Sequence, residues 1–417
     1  MMKRTLAVLT NLLITLVLLP ACGDQPVQDP LQSAEQALAA RDYQRAVDIL
    51  EAALQQDEQD PTLHYYLGQA YRSQFFHDGS QINDLNPDFA PKASAHFRKV
   101  FELDPAFEGR QFVVDPYTKV QSIWGALAMS YASQGEPDKA REAFRRGREA
   151  GGFYPAMMEY NRNMLASCAE NAILFTNGDN DTYPGWYLQL MEGYRTDITI
   201  ANLSLLNVPW YIRQLRDGYP FGGNNIDLGL DDAAIAGLAA IEWPPQTQTL
   251  PVAGDPLNPS GQLQWEMKPT VQNRLLRVQD QMVLEILREN RWRRPVYFAV
   301  TVYGPNKIGL DAYLAMEGLV LRLNSHKAKV DAAQLEKNLM EIYQYQGLGD
   351  SHLGYIKELR GMFQNYRASF VELVLDYAGK GQPEREREVL AAMDRLLPVD
   401  KLPYTDDRFR EKVESLR

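Results

Sequence analysis

Asp179 and Asp181 stand one residue apart in the string Asn177-Gly178-Asp179-Asn180-Asp181-Thr182. Two carboxylates at that spacing can offer hard oxygen ligands to Ca²⁺ or Mg²⁺, and a metal so held can assist hydrolysis or group transfer. Asp179, Asp181 and Thr182 can equally cap a helix, because their side chains accept the free N–H groups of a first turn. The residues alone leave capping, ligand or metal binding, and catalysis all open. They do exclude an EF-hand, since the sixth loop position lacks Gly and the twelfth lacks Glu. Asn202, Ser204 and Asn207 follow the next apolar run, where they could complete a polar pocket with Asn177 or merely satisfy loop backbone groups. Asp311, Tyr313 and Glu317 are expected on a helix further along, with a buried Glu317 pairing to Arg294 or Arg322 as the plainer role.

Other chemistries find little support. The chain has no Ser-His-Asp order, His-Glu-x-x-His string, phosphate loop or Gly-x-Gly-x-x-Gly string, and its 5 His are scattered, which disfavours zinc. Of the 2 Cys, Cys168 lies beside Leu165 and Ala166 with no His close in sequence, so a buried thiol is expected rather than a nucleophile. A net charge of −11 argues against a nucleic-acid partner. No cofactor is expected, a divalent ion at Asp179 and Asp181 being the one exception left open.

These residues need elements to position them. Ala172 to Thr176 is a short strand-like run, the acidic string is a turn, and Tyr183-Pro184 opens a helix through Trp186, Tyr187, Leu190 and Met191. Asp197 to Leu203 is a second strand, Pro209 to Leu215 a second helix, Gln272 to Asn290 a third, and Pro295 to Val302 a third strand. Strand and helix in alternation imply a parallel sheet with right-handed crossovers. Gly218 to Gly261 is rich in Gly, Pro and Asn and reads as a long loop. Trp186, Tyr187, Trp210 and Tyr211 recur at helical spacing and are expected in the core, although exposed ones could stack on sugar rings.

The start of the chain is basic, Met1-Met2-Lys3-Arg4, and a largely apolar run follows from Leu6 to Leu19. That is a secretory signal, too short for the roughly 20 apolar residues of a membrane span. It ends in Leu19-Pro20-Ala21-Cys22, which resembles the lipobox of bacterial lipoproteins apart from Pro20. The resemblance implies cleavage after residue 21 and acylation of Cys22. Residues 22–30 then form a polar tether, and Asp24 is not immediately next to the Cys, which favours the outer over the inner membrane.

Residues 31–150 resemble tetratricopeptide repeats. Leu67-Gly68, Ala70 and Tyr71 match a first helix, Ala93, Phe97, Phe101 and Leu103-Asp104-Pro105 a second, with an insertion containing Phe75-Phe76-His77-Asp78-Gly79 between them. Trp124, Leu127, Ala128, Tyr131, Gly135, Ala140 and Phe144 supply the clearest repeat, and Leu373, Tyr377, Gly381, Leu390, Met393 and Pro398 a degenerate one within residues 331–417. Such arrays form a concave surface for a protein partner.

From about residue 165 onward a second resemblance appears. The strings Leu174 to Pro184, Asn202 to Asn207, Arg277 to Asp280, Arg294 to Thr301 and Gly309 to Leu319 are similar to the soluble C-terminal half of bacterial protein O-mannosyltransferase-like membrane proteins. The multi-span half of that family has no counterpart here, so glycosyl transfer is not carried over. What the resemblance implies is an extracytoplasmic module of envelope or glycan biology. The Asp179-Asn180-Asp181 string also looks like the acidic metal motif of nucleotide-sugar glycosyltransferases, a short pattern that often arises by accident.

The expected fold is therefore α+α/β, with tetratricopeptide-like helical repeats (31–150 and 331–417) flanking a small parallel-sheet α/β domain (151–330). The expected function is a periplasm-facing, lipid-anchored scaffold binding a protein through its repeats and a glycan through the α/β domain. Asn177, Asp179, Asp181, Asn202 and Asn207 are its candidate ligand residues. The rival is a metal-assisted enzyme acting on an envelope glycan or phosphorylated precursor through Asp179 and Asp181.

Overall fold

A computed structural model describes residues 29–76, 82–111, 115–252 and 254–417. The signal segment, Cys22, most of the tether and His77, Asp78 and Gly79 of the insertion lie outside the described residues. No helix among the described residues is long and apolar enough to cross a membrane.

The first half is a stack of helices whose starts are written in the sequence. The helices are α1 (Pro30–Ala39), α2 (Tyr43–Leu54), α3 (Pro61–Phe75), α4 (Phe89–Leu103), α5 (Pro116–Ser133) and α6 (Pro137–Glu149). Asp29, Asp42, Asp60 and Asp115 each accept a first-turn N–H, and Pro opens α1, α3, α5 and α6, where its missing donor costs nothing. Each helix packs on the next in chain order. Small residues set the spacing: an added Cβ on Gly68 would sit 3.0 Å from the Phe97 ring, and Ala128 and Ala140 are fully buried. Helix α7 (Pro155–Ala166) leads out of this arm.

The α/β unit begins with β1 (Ile173–Thr176), α8 (Asp179–Glu192), β2 (Thr199–Asn202), α9 (Pro209–Asp217) and α10 (Asp232–Ala236). It continues with β3 (Ile241–Glu242), β4 (Gln246–Pro251), β5 (Gln262–Met267), β6 (Leu275–Leu276), α11 (Val278–Asn290), β7 (Val296–Ala299), β8 (Leu314–Met316) and β9 (Val320–Leu323). The main sheet has the order β2-β1-β7-β9-β8. Its first three strands are parallel, with Leu174 between Ile200 and Tyr297, but β9 runs antiparallel to both β7 and β8. The sheet is thus mixed and not wholly parallel. The cause is local: no crossover helix separates β7 from β8, and Gly318, at φ +111°, turns β8 straight into β9 as a hairpin. The same turn removes the helix expected over residues 311–317, which form a short 3₁₀ turn and an edge strand instead.

A second departure is the stretch from Gly218 to Gly261, expected as loop. It holds α10, β3 and β4, and β4 pairs with β5 over six residues. Gln248 and Leu250 on β4 face inward with Leu263, Trp265 and Met267 on β5. That period-two pattern was present in the sequence, hidden among Gly and Pro.

The outer edge of β2 is closed by tyrosines. Tyr219 Oη accepts from Ile200 N at 3.3 Å, and Tyr211 Oη accepts from Asn202 N at 2.9 Å while donating to Ile200 O at 3.2 Å. Unpaired edge groups invite intermolecular pairing, and here side chains satisfy them. Trp186, Tyr187 and Tyr211 are buried, and Trp210 packs against the core half-buried.

The chain closes with α12 (Ala332–Lys337), α13 (His352–Tyr355), α14 (Lys357–Gly379), α15 (Pro383–Leu396) and α16 (Asp407–Glu414). Helix α14 ties this end to the sheet: Ser369 Oγ donates to Gly318 O, and Tyr366 Oη accepts from Asn163 Nδ2 of α7 at 2.8 Å.

Candidate functional site

The chain leaves β1 towards β2 on one side and leaves β7 towards β9 and β8 on the other. Between the carboxyl ends of β1 and β7 lies the switch point at which open α/β sheets bind ligands. Two loops meet there, Asn177-Gly178 after β1 and the segment from Val300 to Asn306 after β7.

Asp181 holds them together. Its carboxylate, 2% exposed, accepts from the N–H groups of Asn177 (2.9 Å) and Gly178 (2.8 Å) and from the Thr301 hydroxyl. Burial raises its pKa, and the three donors pull it back. Asn306 reaches Asn177 Oδ1 at 3.4 Å and accepts from Arg277 Nη2 at 2.8 Å. Arg277 is ion-paired at 2.8 Å to the fully buried Asp280 in the first turn of α11, which also accepts from Thr270. The result is a polar crown with few open valences.

Asp179 turns the other way. Its carboxylate accepts from Ser122 on α5, the neighbouring Asn180 takes a bond from Gln121 at 3.0 Å, and Asn161 of α7 donates to Asn180 O at 2.9 Å. A glycine completes this joint: an added Cβ on Gly125 would lie 2.4 Å from the Tyr183 ring. Asp179 and Asn180 therefore fasten the helical arm, while Asp181 fastens the sheet. The two carboxylates serve different neighbours, and no group of three His, Cys, Asp or Glu among the described residues could hold a metal.

The asparagines divide similarly. Asn202 is buried, donating to Thr182 Oγ1 and accepting from Leu205 N, both at 2.9 Å. Asn207 is exposed and makes a reciprocal pair with Gln279 at the start of α11. Only Asn177 and Asp181 of the five candidates stand at the switch point itself. Thr301, Asn306, Arg277 and Asp280 join them there, and none was singled out as a site residue from sequence. The Arg277 to Asp280 string was visible as an i, i+3 charge pair; the position of Thr301 depends on strand pairing that no local pattern reports.

A cleft of about 690 Å³ borders the crown on the side of Thr270, Gly304 and Pro305, with Trp265 and Tyr313 along its wall. Asp311 sits on its rim, paired to Lys307 at 2.9 Å. Glu317 is buried 3.6 Å from Arg322, away from Arg294, and Cys168 is a buried free thiol whose pKa burial pushes far up.

A family model described as TMEM260-associated domain 2 matches residues 157–234 and 256–341. These stretches run from α7 to α12 and contain every strand of the main sheet; the gap falls on β3 and β4. The match supports a relationship to TMEM260-like, O-mannosyltransferase-like proteins. No curated protein matches the chain.

Proposed function

We propose that this chain is a binding scaffold of the bacterial envelope, acylated at Cys22, facing the periplasm and held more readily at the outer than the inner membrane. In this reading α1 to α6 are tetratricopeptide-like repeats that dock a protein partner, and α14 and α15 a degenerate one. The α/β unit takes a second ligand, a glycan. One observation carries the choice of binder over enzyme. Asp179 and Asp181 are committed to protein neighbours on opposite sides of their turn, so they do not form the paired, open carboxylates that metal-assisted chemistry on a glycan or phosphorylated precursor requires.

The scaffold reading is tested in cells by photo-crosslinking amino acids placed at Ser73 on α3 and Arg141 on α6. It expects a discrete crosslinked protein from at least one position. Absence of any adduct from both positions would overturn it.

A further inference from the structure

A second polar cleft of the α/β unit lies at the opposite end of the sheet from the crown. A cleft of about 590 Å³ is bounded by Asn171 before β1, by residues 223–227 and by the end of α11. A smaller one of about 240 Å³ continues from it past Trp292, sharing Asn290, Arg293 and Arg294. The larger has an apolar floor of Ile173, Ile226 and Ile286 beneath an amide rim. Its volume is that of roughly two to three sugar rings, inside the range of about 300–1,000 Å³ for small-molecule clefts.

The rim has open hydrogen-bonding positions of both kinds. Asn171 Oδ1 accepts from Asn224 Nδ2 at 2.7 Å, and Asn225 Oδ1 accepts from Tyr219 N at 3.3 Å. One oxygen of Asp227 pairs with Arg293 at 2.9 Å. This leaves two amide donors, Asn171 Nδ2 and Asn225 Nδ2, and two acceptors, Asn224 Oδ1 and the other Asp227 oxygen, without a partner among the described residues. Alternating donors and acceptors suit hydroxyl groups, each of which is both. An anion fits poorly. All five N–H groups of Arg294 are spent on Asn171 O, Ala172 O, Asn224 O, Asn225 O and Thr199 Oγ1, and Arg293 already faces Asp227.

The cleft is also held rigidly. Arg294 has no carboxylate in hydrogen-bond contact, burial lowers its pKa to about 10, and its bonds clamp the 224–225 backbone to the starts of β1 and β2. Backbone in the left-handed region gathers around it: Asn171 at φ +57°, Gly223 at +80°, and the successive Arg291 and Trp292 at +48° and +59°. Bulky residues adopt that conformation at a cost, and such strain concentrates at ligand clamps. At Gly223 a Cβ would meet Ile198 O at 2.7 Å, so the rim packs backbone against backbone just before β2 and requires glycine there.

We infer that this cleft is a neutral oligosaccharide site, with hydroxyls read by Asn171, Asn224, Asn225 and Asp227, and Trp292 flanking an extension. The inference rests on the scaffold reading for the unit's role as a binder, and it places the ligand away from the switch point. The test is saturation-transfer NMR on the full chain in nanodiscs, against maltotriose, cellotriose, mannotriose, galactobiose and chitobiose. At least one is expected to bind, with affinity falling tenfold or more in Asn225→Leu and in Trp292→Ala at unchanged melting temperature, and unaltered in Asn306→Ala at the crown. Binding lost only in Asn306→Ala would overturn the placement and leave the scaffold reading standing. Binding of none of these saccharides would overturn the inference, while crosslinking through the arm would remain an independent result.

Discussion

Glu317 gives the fold a pH dependence of unusual sign. Its side chain is 2% exposed, Arg322 approaches only to 3.6 Å and is itself 41% exposed, and the Tyr297 hydroxyl donates at 3.3 Å. Burial dominates and raises the carboxyl pKa from 4.5 to about 7, against the weaker pull of Arg322. In the unfolded chain the group ionises near its ordinary value, about 4.3. Between these limits the native state binds the proton and the unfolded state does not, so stability falls as pH rises. The loss begins above the unfolded pKa, is complete once pH passes the folded one, and totals roughly 3–4 kcal/mol at about 1.4 kcal/mol per pH unit. Glu317→Gln keeps the shape and removes the titration. The variant should match the wild type near pH 4.5 and exceed it by roughly 3–4 kcal/mol at pH 8. Urea unfolding of both proteins at four pH values from 4.5 to 8 measures the difference. A difference that stays flat, or a Gln variant less stable at pH 8, would show that the Arg322 ion pair outweighs desolvation and refute the reasoning.

Further outcomes follow from single contacts. Asp181→Ala strands two N–H groups, at roughly 1–3 kcal/mol per orphaned group, while the Thr301 hydroxyl can turn elsewhere, so it should cost about 2–6 kcal/mol; Asp181→Asn should cost about 1–2, since its NH₂ must face one of those donors. Millimolar Ca²⁺ or Mg²⁺ should leave the wild-type melting temperature in place, and a rise abolished by Asp181→Asn would restore the metal reading. Ala140→Arg should lower stability by several kcal/mol, because the site is fully buried; an unchanged melting curve would contradict the packing of α5 on α6. Gly125→Leu should loosen the arm from α8, read as faster amide exchange in α8 than in α3, whereas uniform protection would contradict the joint. Cys22→Ser should shift the protein out of the membrane fraction, and unacylated soluble wild type would refute the anchor.

Helix starts were legible because they are chemical events within four residues: Asp60-Pro61 and Asp115-Pro116 state both cap and first turn. The three parallel strands were legible as short apolar runs bounded by turns. Strand direction at β9 was not, because it is decided by the absence of a crossover and by one glycine, Gly318. The β4–β5 hairpin was obscured by composition: Gly254, Pro256, Pro259 and Gly261 crowd its turn and outweighed the alternation of Leu263, Trp265 and Met267. A third of the crown was legible, since Asn177 and Asp181 lie within one turn. Thr301 and Arg277 reach it from over ninety positions away, and sequence carries no signal for such convergence without the fold.

The acidic turn shows why residue type alone overstates chemistry. A carboxylate at a helix start is stabilised by whichever donors reach it first, and here the protein supplies them on both sides. Asp181 collects the backbone of its own loop and a hydroxyl from β7's loop; Asp179 and Asn180 collect Ser122, Gln121 and Asn161 from the arm. Yet the joint is not fully satisfied. Gln121 Oε1 and Asn161 Oδ1 are buried without a partner among the described residues; Gln121 gives its NH₂ to the turn, and Asn161 shares its NH₂ between Asn180 O and Met157 O of its own helix. Each orphaned acceptor costs stability, a cost this joint carries. Asp179 and Asn180, which fasten the arm, directly precede the carboxylate that holds the switch-point loops, so one helical turn joins the arm to the sheet.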